Sequence, residues 1–141
     1  MARYVKPTLD TKFHINFAWW EKQGNKFKVQ LRGQACPQCL ADYEDAESQT
    51  FDWIDPESGE VFQIDLLWHL IYKHCGQSPD FIEETMPLTT AIFRAFIANN
   101  NSPLTADEIH NVVKQKSASL ILRTVGGHKV YQGIRPVTQS A

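Results

Sequence analysis

Cys36, Cys39 and Cys75 are the only cysteines in the chain, and two of its five histidines, His69 and His74, sit in the same ten-residue run as the third, LLWHLIYKHC (66–75). Thiolate and imidazole are the donors that a structural zinc site takes four at a time, at the corners of a tetrahedron. CPQC offers two thiolates from one tight turn. The second pair must come from His69, His74 and Cys75. At 100° per residue, His69 points away from His74 on a helix, so no straight helix presents all three donors together. His69 with Cys75 requires the chain to turn back at Gly76; His74 with Cys75 requires both to reach from the last helical turn. Cys75 is common to both choices, and the sequence leaves them open. Four protein ligands close the coordination shell and leave no position for a reactive water, so the expected cofactor is a structural Zn2+.

Two other chemistries use the same residue types. A redox dithiol shares the C-x2-C spacing, but it opens a helix after a strand in a βαβ setting. Here the motif is followed by the acidic stretch ADYEDAES, which disfavours a thiolate nucleophile. Reduced core cysteines behave as small hydrophobes, yet that reading leaves their gathering with two histidines unexplained. An odd number of cysteines with no export signal argues against a disulfide framework. MARYVKPTLD lacks the apolar run of a signal peptide, and no apolar stretch reaches the 18 or so residues of a membrane span. The expected location is cytoplasmic, with no membrane partner.

The elements that must position these donors are read from periodicity. KFHINFAWW and KFKVQLRG alternate apolar and polar residues on either side of Gly24-Asn25, which predicts a hairpin with Phe13, Ile15, Phe17 and Trp19 on one face and Phe27, Val29 and Leu31 on the other strand. A helix over 18–32 would put Trp20, Phe27 and Leu31 on one stripe, but it leaves Val29 off that face and Gly24 inside. ADYEDAES predicts a short solvated helix. FDWIDPESGEVFQI predicts a second hairpin around Asp55-Pro56-Glu57-Ser58-Gly59, where Pro presets the turn and Gly accepts positive φ. Asp65 caps the LLWHLIYKHC helix and Gly76 ends it. Ser78 and Pro79 open a short helix, and Leu88 to Asn99 forms another, with Ile92, Phe93, Phe96 and Ile97 as its inner stripe.

A C-x2-C knuckle, a hairpin and a helix whose C-terminal half supplies His and Cys resemble the zinc-finger pattern, over about Gln34 to Gly76. The spacing is longer than in a compact finger, since 29 residues separate Cys39 from His69.

Downstream, Thr105 and Glu108 match a capping box, and Ile109, Val112 and Val113 form the inner face of that helix. Ser117 caps a second helix with Ala118, Ile121, Leu122 and Val125 inward, stopped at Gly126-Gly127, and KVYQGIRPV reads as a strand. With the helix from Leu88, this order resembles a winged-helix domain of the helix-turn-helix type, over about Leu88 to Val137. The resemblance implies that Ser117 to Val125 is the recognition helix. Ser119 and Arg123 would then lie nearest the bases, and Lys114, Lys116, Arg123, Lys129 and Arg135 on phosphates, with His128 in the wing.

The net charge of −2 hides a segregation. Met1–Cys39 carries seven Lys/Arg against two acids, 40–84 one against twelve, and 111–141 five against none. A basic segment free of acids suits phosphate contact, because neutralising phosphates releases counterions. No Gly-rich phosphate loop, nucleophile elbow or open-site metal motif points to an enzyme.

The expectation is therefore an α+β protein: residues 1–76 as a hairpin plus zinc-binding module, 77–87 as a connection and 88–141 as a winged-helix-like domain. Its expected role is a zinc-containing DNA-binding regulator, transcriptional or nucleoid-type. The alternative is a non-enzymatic adaptor that uses the zinc module and the winged helix as protein-binding surfaces, with the acidic 42–60 region seeking a basic partner.

Overall fold

The structure, a computed structural model, describes residues 6–137; the outer ends of the two expected domains, 1–5 and 138–141, lie outside them. It is mixed α and β, with two two-stranded antiparallel sheets among seven α-helices in the described residues. None of these helices is long and apolar enough to cross a membrane. The chain forms two units that interleave in sequence: unit 1 is Met1–Asn16, Ile82–Phe96 and Pro103–Ala141, and unit 2 is Phe17–Phe81 and Ile97–Ser102.

The first predicted hairpin does not form. Phe13–Ile15 is a strand (β1), but Phe17–Glu21 and Lys26–Arg32 are helices (α1, α2). The alternation in KFKVQLR is compatible with a helix that buries only one stripe: Leu31 is inside, Phe27 is half-buried and Val29 is 63% exposed. Gly24, at φ +69°, sits in the break between the two helices, where its positive φ costs nothing. The features that weighed against one long helix are those of two short ones.

In unit 1, β1 pairs instead with Ile134–Pro136 (β4), matching Phe13 to Pro136 and Ile15 to Ile134. Phe13 also exchanges two backbone hydrogen bonds with Leu104, at 2.8 and 3.0 Å. Strand structure after the double glycine is thus shorter than the predicted 129–137, with a single bridge from Tyr131 to Ile134 before β4. The helices are Leu88–Ala98 (α5, whose last two residues belong to unit 2), Ala106–His110 (α6) and Ala118–Val125 (α7). The capping box of α6 is complete, and Ser117 Oγ accepts from Leu120 N at 3.2 Å to start α7. Phe13, Ile15, Phe93, Phe96, Ile109 and Ile121 are wholly buried. Val112 is 52% exposed rather than inward, because α6 ends at His110 and the chain beyond it no longer follows the helical stripe. The expected helix at Ser78-Pro79 is a turn, in which Phe81 N donates to Ser78 O at 3.1 Å.

In unit 2, the second hairpin forms in the expected place, Thr50–Ile54 (β2) against Val61–Asp65 (β3), with Gly59 at φ +74° in its turn. Phe51, Trp53, Phe62 and Ile64 share its inner face. Phe17 packs edge-on against Trp53 and Trp68, with ring centroids 5.0 and 5.3 Å apart. Burial of such rings is the main stabilising contribution, at about 1.5–3 kcal/mol for each large side chain. The two indole N–H groups need acceptors, and Asn100 supplies both: its backbone O accepts from Trp53 at 3.2 Å and its Oδ1 from Trp68 at 3.0 Å. Asn100 does this from the left-handed region, φ +58°, which Asn tolerates better than Ala.

Asn100→Ala should therefore destabilise the protein by about 2–4 kcal/mol, combining a stranded indole N–H with the positive-φ cost. Asn100→Gly, which keeps the backbone and loses only the side-chain acceptor, should cost about 1–3 kcal/mol. Urea midpoints at unchanged m-value check the order; equal losses would show that the backbone conformation contributes nothing.

Candidate metal centre

CPQC opens a helix rather than preceding one. Pro37–Asp45 is α3, Cys36 is its N-cap and Pro37 takes the first helical position, where a missing N–H is harmless. Cys39 follows three residues on, so both thiols face the same side of the first turn. Cys39 is buried and Cys36 half-buried.

The other donors come from Leu66–Lys73 (α4). Asp65 caps its start, Oδ1 accepting from Leu67 N at 3.0 Å. The helix stops two residues short of the expected Cys75, because His74 leaves helical geometry at φ −115°, ψ −93°, and Cys75–Gln77 continues as a tight 3-10 turn. A Cβ on Gly76 would lie 2.7 Å from Ile71 O, so only glycine lets the chain fold back this closely. Gln77 holds the return by donating from Nε2 to Tyr72 O at 2.8 Å and to Ala98 O at 3.2 Å. Unwinding at His74 is what swings His74 and Cys75 to the same side.

Cys36, Cys39, His74 and Cys75 converge with all four donor atoms within 4.8 Å of one another. Cys36 Sγ lies 3.3 Å from His74 Nδ1, Cys39 Sγ 3.6 Å from the same nitrogen, and Cys39 Sγ 3.7 Å from Cys75 Sγ. Zn–S and Zn–N bonds of about 2.3 and 2.0–2.1 Å at tetrahedral angles set donor separations of roughly 3.8 Å for S···S and 3.5 Å for S···N. These three separations are close to those of a four-coordinate metal shell, with Nδ1 as the histidine donor.

The thiols are held in different states. Burial would raise Cys36, but the Cys39 backbone N–H and contacts with Cys39, His74 and Cys75 outweigh it and lower the thiol to about 7. Burial pushes Cys39 up to about 12, and the neighbouring thiols of Cys36 and Cys75 add to this against a hydrogen bond from the Cys75 backbone.

His69 is not in the cluster. Its ring stacks on Phe51, centroids 4.0 Å apart and planes 16° from parallel, and burial followed by the Lys73 charge lowers its pKa. Of the two histidine choices the structure thus favours His74. Packing at the far end of the α3–α4 pair was not foreseen: Tyr43 of α3 donates to Asp65 Oδ2 at 3.4 Å, and Lys28 of α2 approaches the same oxygen at 3.9 Å. Asp65 could be read only as a cap, because its other partners are distant in sequence.

Lys114, Lys116, Ser119, Arg123, Lys129 and Arg135 are all exposed and all belong to unit 1. Ser119 and Arg123 line one cavity, joined there by Lys6, which the sequence did not single out. Lys114 lines a different depression, together with Glu83 and Glu84. Lys129 Nζ sits 5.1 Å above the Tyr131 ring, and Arg135 is in β4 opposite His14. In comparisons with protein-family models, curated proteins and solved structures, nothing matches the chain.

Metal ligands must be deprotonated, so loading expels protons. At pH 8 Cys36 is already mostly thiolate while Cys39 still holds its proton; below about pH 7 Cys36 adds another. The logarithm of the apparent affinity should therefore rise more steeply with pH below 7 than above it, as read by divalent-metal titration with a pH indicator. An unchanging slope would contradict Cys36 as a ligand. In the same titration His74→Ala should lose more than the roughly 10–100-fold that an outer-shell partner costs, whereas His69→Ala should bind as the parent does.

Proposed function

We propose that the cluster holds one structural Zn2+ and that the chain is a zinc-containing, non-enzymatic DNA-binding regulator that contacts DNA through the basic surface of unit 1. The observation that carries the zinc reading is the convergence of four soft donors within 4.8 Å of one another, with Cys36–His74, Cys39–His74 and Cys39–Cys75 at 3.3–3.7 Å, close to the separations that a tetrahedral zinc ion sets. Softer donors of this kind favour zinc over hard cations such as Mg2+ or Ca2+. With four protein ligands, the ion fastens the start of α3 to the end of α4 and offers no open position for hydrolysis.

The DNA reading rests on charge and on helix order. The last thirty or so residues contain five Lys/Arg and no acid. Support for the winged-helix likeness comes from α6 and α7, joined by a short connection and packed together, and from the β1–β4 sheet in the same unit. Lys116, Arg123, Lys129 and Arg135 would meet phosphates, with Ser119 and Arg123 nearest base edges. Lys114 is the weakest member of the expected set, because Glu83 and Glu84 border it.

A second reading is favoured by the β2–β3 hairpin. Ile54 and Val61, paired in register, are 61% and 56% exposed, and the same hairpin carries the exposed acids Asp52, Glu57 and Glu60. An exposed apolar pair on an acidic hairpin suits a basic protein partner and would make the chain an adaptor.

Elemental analysis of protein purified without a histidine tag should find one zinc per chain, and Cys36→Ser should lose both the metal and thermal stability. A metal-free parent that melts like the variant would overturn the zinc reading. Binding to duplex DNA should weaken steeply between 50 and 200 mM salt; no binding even at low salt removes the DNA reading and leaves the adaptor.

A further inference from the structure

Lys6, Pro7 and the end of α7 form a cavity of about 450 Å³ in unit 1, and none of the described residues that line it is acidic. Its polar wall consists of Lys6, Ser119, Arg123 and His128. Pro7 holds Lys6 there: it is buried, and a Cβ on Gly126 would come within 3.2 Å of its ring and 2.7 Å of Leu122 O. The absence of a side chain at Gly126 is therefore what admits the N-terminal segment to this place.

A helix C-terminus carries about half a negative charge, which favours cations near it. That explains Arg123 in the last turn of α7 but leaves the cavity with excess positive charge, because Lys6 and Arg123 together bring two permanent charges against about half of one. The spare capacity calls for an anion. Arg presents a planar fork suited to two oxygens of a phosphate, Lys a mobile point charge, and Ser a hydroxyl donor.

We propose that this cavity is a phosphate-binding site in which Lys6 and Arg123 grip one phosphate group. As a contact to DNA it rests on the regulator reading above and adds the N-terminal segment to that surface; as a site for free phosphate it does not depend on that reading.

The test compares the parent with Lys6→Gln, Arg123→Gln and the charge-conserving Lys6→Arg, after confirming that their melting curves match. Duplex DNA binding is measured across a salt series, and thermal stability in inorganic phosphate against chloride at equal ionic strength. With DNA as the phosphate source, Lys6→Gln lowers the salt slope by about one and weakens binding about 3–10-fold near 100 mM salt, while Lys6→Arg restores it. With free phosphate as the source, DNA does not bind, and phosphate stabilises the parent and Lys6→Arg but neither Gln variant. If DNA binds with the same slope in every variant and phosphate has no specific effect, the site is overturned while the regulator reading stands. If neither ligand binds the parent, both are overturned.

Discussion

The meeting of the start of α3 with the unwound end of α4 governs unit 2. Three sulfurs and an imidazole nitrogen crowded within 4.8 Å are a poor arrangement for neutral groups and a good one for a cation. Without one, the shell splits between a thiol lowered to about 7 and another raised to about 12. A small unit gains much from such a clasp, because a limited core leaves little stability in hand. At the opposite end of the same helix pair, Asp65 caps α4 and accepts from Tyr43 of α3. Between these two fastenings α4 buries Leu67, Trp68 and Ile71. The aromatic core and the donor cluster are two ends of one piece of packing.

How much of this could be read beforehand depended on the range of the interactions. Local chemistry was legible: the Asp65 and Ser117 caps, the box at Thr105 and Glu108, and the turn around Gly59 all lie within a few residues of what they organise. The donor set was legible in composition, since every cysteine belongs to it. What decided between His69 and His74 was a break in helical geometry at His74, which a helical wheel assumes away, and a stacking partner, Phe51, that lies far from His69 in sequence. The failed hairpin has the same origin. KFHINFAWW alternates, but β1 finds its pairing partner near residue 135, so nothing local obliges KFKVQLR to be a strand. Lys6 was invisible for a similar reason, because only Pro7 lying against Gly126 gives it neighbours.

Charge follows the division of the chain. The acids concentrate between residues 40 and 84, mostly within unit 2, and the acid-free basic segment lies wholly in unit 1. Surfaces of opposite sign suit partners of opposite kind: an anionic polymer for one and a basic protein for the other. The two proposed readings are therefore compatible within a single chain, and the Cys/His cluster belongs to the acidic unit.

The pairing of Phe13 with Pro136 also orders events in time. On a ribosome, β1 is made well before β4 and must wait for it, an interval on the order of ten seconds at roughly 5–20 residues per second. Unit 2 is complete once Ser102 has emerged. It can therefore fold while β1 still exposes Phe13 and Ile15. A pause in translation after Ser102 would prolong that exposure of apolar surface, the condition under which nascent chains aggregate.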